Sequence, residues 1–135
     1  MREITVFEKI IAGTISCYKV YEDAATIAFL SLEQKTKGHT LVIPKVHSRN
    51  MLDISENDLL KTLSVVRKLS QHLYQQLDAS RFKIQQNNEV AAGQEVFHTH
   101  FHIIPFYKNV SYENNQNYLL SHDELLNLSR EIYLK

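Results

Sequence analysis

Apolar and polar positions along this 135-residue chain follow two different periods, and the period assigns the elements. Phe7, Ile10 and Ile11 recur at helical spacing and Gly13 follows as a left-handed stop, so a short N-terminal helix ends there. Cys17 to Tyr21 alternates as a strand, Glu22-Asp23 turns the chain, and Thr26 to Leu32 returns as a second strand. After a polar loop over residues 33–38, His39-Thr40-Leu41-Val42-Ile43-Pro44 forms a third strand, stopped by proline. Ser55 then caps a helix, with Asp58 in the capping-box position. Leu59, Leu63, Val66, Leu69, Leu73 and Leu77 follow three or four apart, predicting an amphipathic helix of about six turns. His72 falls beside that stripe and reads as a surface residue.

Arg81 to Gln86 alternates into a fourth strand, residues 87–93 form a loop, and a fifth strand carries three histidines and closes at Pro105. Residues 108–120 are rich in Asn and Tyr without a period and predict a mobile surface loop. Ser121-His122-Asp123-Glu124 opens a C-terminal helix over residues 121–134. With no repeat and no linker, residues 1–135 are expected to form one domain. The class is α+β: an about five-stranded, mostly antiparallel sheet with one long helix and short terminal helices.

Composition narrows the partners. Lys plus Arg equals Asp plus Glu at 15 each, so no global field favours nucleic acid and no basic block favours a membrane surface. No apolar run approaches a membrane span, and Glu3 and Glu8 interrupt any secretory signal. Cys17 is the only cysteine, which excludes an intrachain disulfide and fits a reducing, cytoplasmic setting.

The fifth strand departs from ordinary core composition. His98, His100 and His102 alternate within Val96-Phe97-His98-Thr99-His100-Phe101-His102-Ile103-Ile104-Pro105. In a strand they stand on one face, about 7 Å apart at Cα, with Thr99 and Phe101 facing the other way. Each imidazole has two nitrogens to satisfy, so three in a row are a poor filling for a core. Two readings remain at this level. One is a metal site, since neutral imidazole is the commonest metal ligand; the other is an anion site with a nucleophilic histidine.

His98-Thr99-His100-Phe101-His102-Ile103-Ile104 resembles the histidine triad signature, His-φ-His-φ-His-φ-φ with φ apolar, Thr99 being a mild departure. Gly93-Gln94-Glu95-Val96, the block from Gly38 to His47, and the opening from Phe7 to Asp23 resemble the same family, in the same order. The chain is most similar to its short bacterial, Hint-like branch. The resemblance implies a homodimeric, metal-independent hydrolase or transferase that splits purine nucleoside monophosphates from a leaving group through a nucleotidyl-histidine. It implies His100 as nucleophile, oriented by a backbone carbonyl near His98, with His102 donating to phosphate, His98 completing the polar face and Gln94 contacting the reacting group. It further implies phosphate contacts from Asn87 and from the amides of Gly93, Glu95 and Val96, and His39 as a supporting histidine. Phe7, Ile10, Phe29, Leu30, Ser31 and Leu32 are implied around base and ribose.

Several positions depart from the family pattern. Many bacterial relatives carry two cysteines where this chain has Thr5 and Glu8, so a structural zinc shared with His47 and His98 is expected to be absent. Ser31 stands where an aspartate usually accepts from both ribose hydroxyls, which implies weaker nucleotide binding, by about 1–2 kcal/mol. Glu89 stands where glycine is common, and Glu95 can offer phosphate only its amide. These departures keep a second hypothesis alive, a nucleotide-binding or scaffolding protein with little catalysis. A third, a metalloenzyme using the three histidines directly, needs a ligand from elsewhere.

Overall fold

The computed structural model describes residues 2–108, 110 and 119–135, so most of the loop expected over 108–120 lies outside the described residues. Three helices, α1 (Val6–Ala12), α2 (Glu56–Gln76) and α3 (His122–Glu131), accompany five strands. The strands are β1 (Lys19–Glu22), β2 (Thr26–Leu30), β3 (Thr40–Pro44), β4 (Arg81–Gln85) and β5 (Phe101–Phe106). They form one antiparallel sheet in the order β1-β2-β3-β5-β4, the expected fold class.

β2 and β3 are buried at every position because both faces of the sheet are covered. Ala28, Leu30 and Val42 pack with Val66, Leu69 and Leu73 of α2 and Leu128 and Ile132 near the C-terminus. Ile27, Phe29, Leu41 and Ile43 face the other way and pack with Phe7 of α1. This is the strand period of two read out on two cores. α1 starts at Thr5, whose hydroxyl accepts from the Glu8 amide while the Glu8 carboxylate accepts from the Thr5 amide; Gly13 ends it at φ 81°.

The buried stripe of α2 runs through Thr62, Val65, Val66, Leu69, Ser70 and Leu73. Leu63, assigned to the stripe from spacing, lies at its edge and is 38% exposed. The 3.6-residue period carries Thr62 inward in its place, its hydroxyl satisfied by the Asp58 carbonyl at 2.8 Å. His72 is a further correction: it is half-buried, and its Nε2–H donates to the Ile132 carbonyl at 3.0 Å, pinning the end of α3 against α2. The Leu134 amide also donates to the Val20 carbonyl at 2.9 Å, so the chain beyond α3 is tied to β1. β5 runs one residue past Pro105, at the end of β5 beyond its pairing with β3, which stops at Ile103.

The largest correction concerns the histidine strand. Regular pairing begins only at Phe101, so His98 and His100 precede β5 and only His102 lies within it. The preceding backbone is drawn toward the loop after β3 instead, where the Thr99 amide donates to the Ser48 carbonyl at 2.9 Å and the two side-chain hydroxyls meet at 2.6 Å. Among the described residues, no helix is long and apolar enough to cross a membrane.

Gly38 closes the loop between β2 and β3 at φ 97°, and a Cβ there would lie 2.5 Å from Leu77 Cδ1 and 3.1 Å from Pro105 Cγ. Gly38→Ala is therefore expected to destabilise the fold by about 1–3 kcal/mol, read as a lower urea midpoint at unchanged slope. An unchanged midpoint would show that this turn relaxes freely.

Candidate functional site

A cavity of about 500 Å³ opens between α1, β2, the β2–β3 loop and the segment leading into β5. Phe7 and Ile10 from α1 and Phe29, Leu30 and Leu32 from the sheet make one wall apolar. His100, His102, His39, Asn87 and Gly93 make the facing wall polar. Ser31, Glu95 and Val96 also line it, so thirteen of the fifteen residues singled out from the sequence meet at one site. A planar apolar group and an attached anion match such a two-sided cavity.

The hydrogen bonds assign the imidazole tautomers, because a carbonyl can only accept and an amide can only donate. His100 Nδ1–H donates to the His98 carbonyl at 2.7 Å, which leaves the lone pair on Nε2. The Lys35 amide donates to His39 Nδ1 at 3.2 Å, so His39 Nε2–H donates in turn to His102 Nδ1 at 2.9 Å. His102 therefore carries its proton on Nε2. The His100 and His102 rings lie 5.1 Å apart, centroid to centroid. One acceptor nitrogen and one donor nitrogen stand side by side at the cavity, a pairing suited to attack on phosphorus beside a bound oxyanion.

His98 and Gln94 are not in the cavity wall. The His98 ring is fully buried, packs edge-on against Phe7 and His47, and donates Nε2–H to the Pro44 carbonyl at 2.7 Å. Its Nδ1 has no hydrogen-bond partner. What His98 contributes to His100 is its backbone carbonyl. Gln94 is buried and its amide is saturated: it donates to the Arg49 and Val96 carbonyls at 2.7 and 3.1 Å and accepts from Asn50 Nδ2 and the Glu89 amide at 3.0 and 2.7 Å. It holds the loop rather than reaching a ligand.

The same network explains Glu89. Its backbone sits at φ 74°, ψ 160°, a conformation that suits glycine. The carboxylate is held there by Arg49 Nε and Nη2 at 2.8 and 2.9 Å and by Asn50. Glutamate thus adopts glycine's backbone rather than altering the loop. Gly93 follows at φ 92°, with Asn87 Nδ2 only 3.4 Å from where a Cβ would stand. Ser31 lines the cavity, but its hydroxyl proton is spent on the Glu33 carbonyl at 2.9 Å.

Sequence reasoning missed Gln34, Lys35, Cys17 and Tyr18. Gln34 is fully buried and clamps the β2–β3 loop, donating to the Ser31 and His39 carbonyls at 2.7 and 2.8 Å and accepting from the Gly38 and His39 amides at 2.8 and 3.1 Å. Lys35, Cys17 and Tyr18 line the cavity from loop and strand-end positions without a periodic signature.

The residues at the expected zinc position do not fit the metal. Thr5 and Glu8 are tied into the capping box of α1, and Glu8 also binds Arg2 at 2.6 and 3.0 Å. His47 Nε2–H donates to the Phe97 carbonyl at 2.9 Å, and the buried His98 Nδ1 has no hydrogen-bond partner. Among the described residues no three His, Cys, Asp or Glu side chains are grouped to hold a metal.

Comparison with known proteins agrees with this architecture. A family model described as HIT domain matches residues 12–109. Protein hit of Bacillus subtilis is 43% identical over 105 residues, covering 78% of this chain and 72% of that one. An adenosine 5'-monophosphoramidase of Schizosaccharomyces pombe is 39% identical over 100 residues, covering 74% of this chain and 72% of that one. The crystal structure of a Hit-like protein from Bartonella henselae, involved in cell-cycle regulation and bound to an unknown ligand, superposes with a TM-score of 0.88 at 32% identity. That match covers 98% of this chain and 96% of that one.

Burial governs protonation at the site. It lowers His39 and His98 from 6.5 to about 4 and His102 to about 3, with neighbouring cations and imidazoles adding to the effect. His100 is lowered in the same way, opposed by the His98 carbonyl and the Glu95 charge. The unfolded chain binds protons near 6.5 that the folded chain refuses until lower pH, so these groups favour the fold above that value and cease to do so as pH falls toward 4. The salt-bridged Glu8 and Glu89, lowered from 4.5 to about 2, favour the fold above about pH 4.5 and lose that effect only in more acid solution. Thermal melts are expected to shift to lower temperature from about pH 6.5 to about pH 4.5; a flat profile across that window would mean the imidazoles are protonated in the fold.

Proposed function

Because the chain belongs to the histidine triad family, we propose that it is a nucleotidyl hydrolase acting on purine nucleoside 5'-phosphoramidates or related conjugates through His100. The observation that carries this reading is the His100 tautomer: Nδ1–H committed to the His98 carbonyl and a neutral Nε2 at the cavity wall. In the first step the Nε2 lone pair attacks phosphorus, and the P–N bond to the leaving group breaks. The amine departs with that electron pair and takes a proton from solvent. Water then attacks phosphorus and gives up a proton to solvent, the His100 N–P bond breaks, and its electrons return to the ring. The net change is phosphoramidate plus water giving nucleoside monophosphate plus amine, with no metal in either step.

His102 Nε2–H and the amides of Glu95 and Val96 supply fixed donors to the nonbridging oxygens in this scheme, where charge grows in the transition state; the Gly93 and Gln94 amides, the former expected at phosphate, are instead spent on the Val90 and Glu89 carbonyls at 3.0 and 3.2 Å. Asn87 is near enough to Gly93 to assist. The apolar wall from Phe7 to Leu32 takes the base. The relative named as an adenosine 5'-monophosphoramidase supports the reaction class.

Ser31 favours a second reading, nucleotide binding with little turnover, because its one hydroxyl is already engaged within the loop. Turnover separates the two. His100→Ala is expected to lower hydrolysis of adenosine 5'-phosphoramidate by at least about a thousandfold, and rapid quench of the wild type is expected to trap an adenylyl-protein. Chelation of metals is expected to leave the wild-type rate unchanged. AMP binding without turnover in the wild type would establish the second reading, and full turnover in His100→Ala would remove the nucleophile.

We also propose a homodimer. β4 is an edge strand with Phe82 and Ile84 45% and 42% exposed, and the outer side of α2 exposes Leu60 and Tyr74 beside it. An exposed apolar edge invites a second copy to extend the sheet. Sedimentation should give twice the chain mass, and Ile84→Lys should shift it toward monomer; a wild-type monomer at micromolar concentration would refute this.

A further inference from the structure

The cavity wall carries its formal charges asymmetrically. Glu95 stands at the His100 end, Glu33 lines the wall two residues before Lys35, and Lys35 is the one cation among the described lining residues. The order along the wall is Glu95, His100, His102, His39, Lys35. His100 and His102 rings are 5.1 Å apart, His102 and His39 are bonded at 2.9 Å, and His39 accepts from the Lys35 amide at 3.2 Å. Lys35 is close enough to lower both His39 and His102, whereas His100 responds to Glu95.

Two features set Lys35 apart from an ordinary solvated lysine. The loop bearing it is tied down: Gln34, Thr36, Gly38 and His39 on either side are buried, and the saturated Gln34 amide clamps the turn. Lys35 also lines the cavity, whereas Lys37 on the same loop does not. The imidazoles are neutral, so a phosphate opposite His100 is met by N–H dipoles alone. The full positive charge lies two rings further along, displaced from the atom under attack.

We propose that Lys35 is a specificity-determining residue that receives a second oxyanion of the substrate, a phosphoryl or sulfuryl group carried in addition to the phosphate facing His100. This rests on the nucleotide reading of the cavity. The second oxyanion belongs either to the leaving group or to the ribose, and both place a negative charge beyond the attacked phosphorus.

Calorimetry on the full chain with AMP, ADP and adenosine 3',5'-bisphosphate tests it without relying on turnover. One of the two doubly phosphorylated ligands is expected to bind about tenfold tighter than AMP, and which one identifies the source of the charge. Lys35→Gln is expected to remove most of that gain, lowering affinity for that ligand far more than for AMP. Lys37→Gln deletes the same charge from the same loop outside the cavity wall and is expected to leave the gain in place. AMP binding with no gain from either added phosphate, a gain that survives Lys35→Gln, or equal losses from both lysine variants would overturn the role of Lys35 while leaving the nucleotide reading standing. No AMP binding at all would overturn both.

Discussion

The site depends on one short hydrogen bond, from His100 Nδ1–H to the carbonyl of His98 at 2.7 Å. A neutral imidazole has one proton and one lone pair, and a carbonyl opposite one nitrogen decides where each resides. Burial reinforces that choice by disfavouring the second proton. The backbone around His98 must then be held, and it is. The His98 ring is anchored to Pro44, Thr99 is anchored to Ser48, and Phe97 is anchored to His47. All three anchors lie in the stretch from the end of β3 into the following loop. Strand β3 and the loop after it therefore act as the template on which the functional segment is laid.

Two buried glutamines hold the other walls. Gln34 saturates the loop between β2 and β3 and so positions His39, which sets the tautomer of His102. Gln94 saturates the loop before His98 and fixes the backbone that faces phosphate in the proposed reaction. A carboxamide has two donors and two acceptors, so it can close four backbone or side-chain positions without adding charge to a low-dielectric wall. Neither side chain needs to touch a ligand to matter. Charged side chains reach the cavity through Glu95, Glu33 and Lys35, and burial disfavours a second proton on the imidazoles between them.

The chain also shows how a loop accommodates an unfavourable residue. Glu89 occupies a backbone conformation suited to glycine, and its carboxylate is held by Arg49 and Asn50 while its amide binds Gln94. The strained residue and the residues that restrain it belong to one network. At the other end of α1, Thr5, Glu8 and Arg2 form a cap and an ion pair where ligands for a metal were a possibility from the resemblance.

Much was legible in the residues alone. The caps at Ser55 and Ser121, the stop at Gly13, the two-faced strands and the alternating histidines are local patterns, because helix and strand periods and capping hydrogen bonds involve neighbours in the chain. Those patterns named the sheet and the helices, and the resemblance to a known family named most of the cavity wall. Tertiary structure decided the rest. It moved His98 from the cavity into the core, made Gln94 a scaffold, joined His72 to the last helix, and aligned Lys35 with His39 and His102. These placements turn on partners 44 or more positions apart, or on whether a backbone group is claimed by a ladder or by a loop. Such pairings leave no period in the sequence. They are chosen only when every buried donor and acceptor in the folded chain competes for a partner at once.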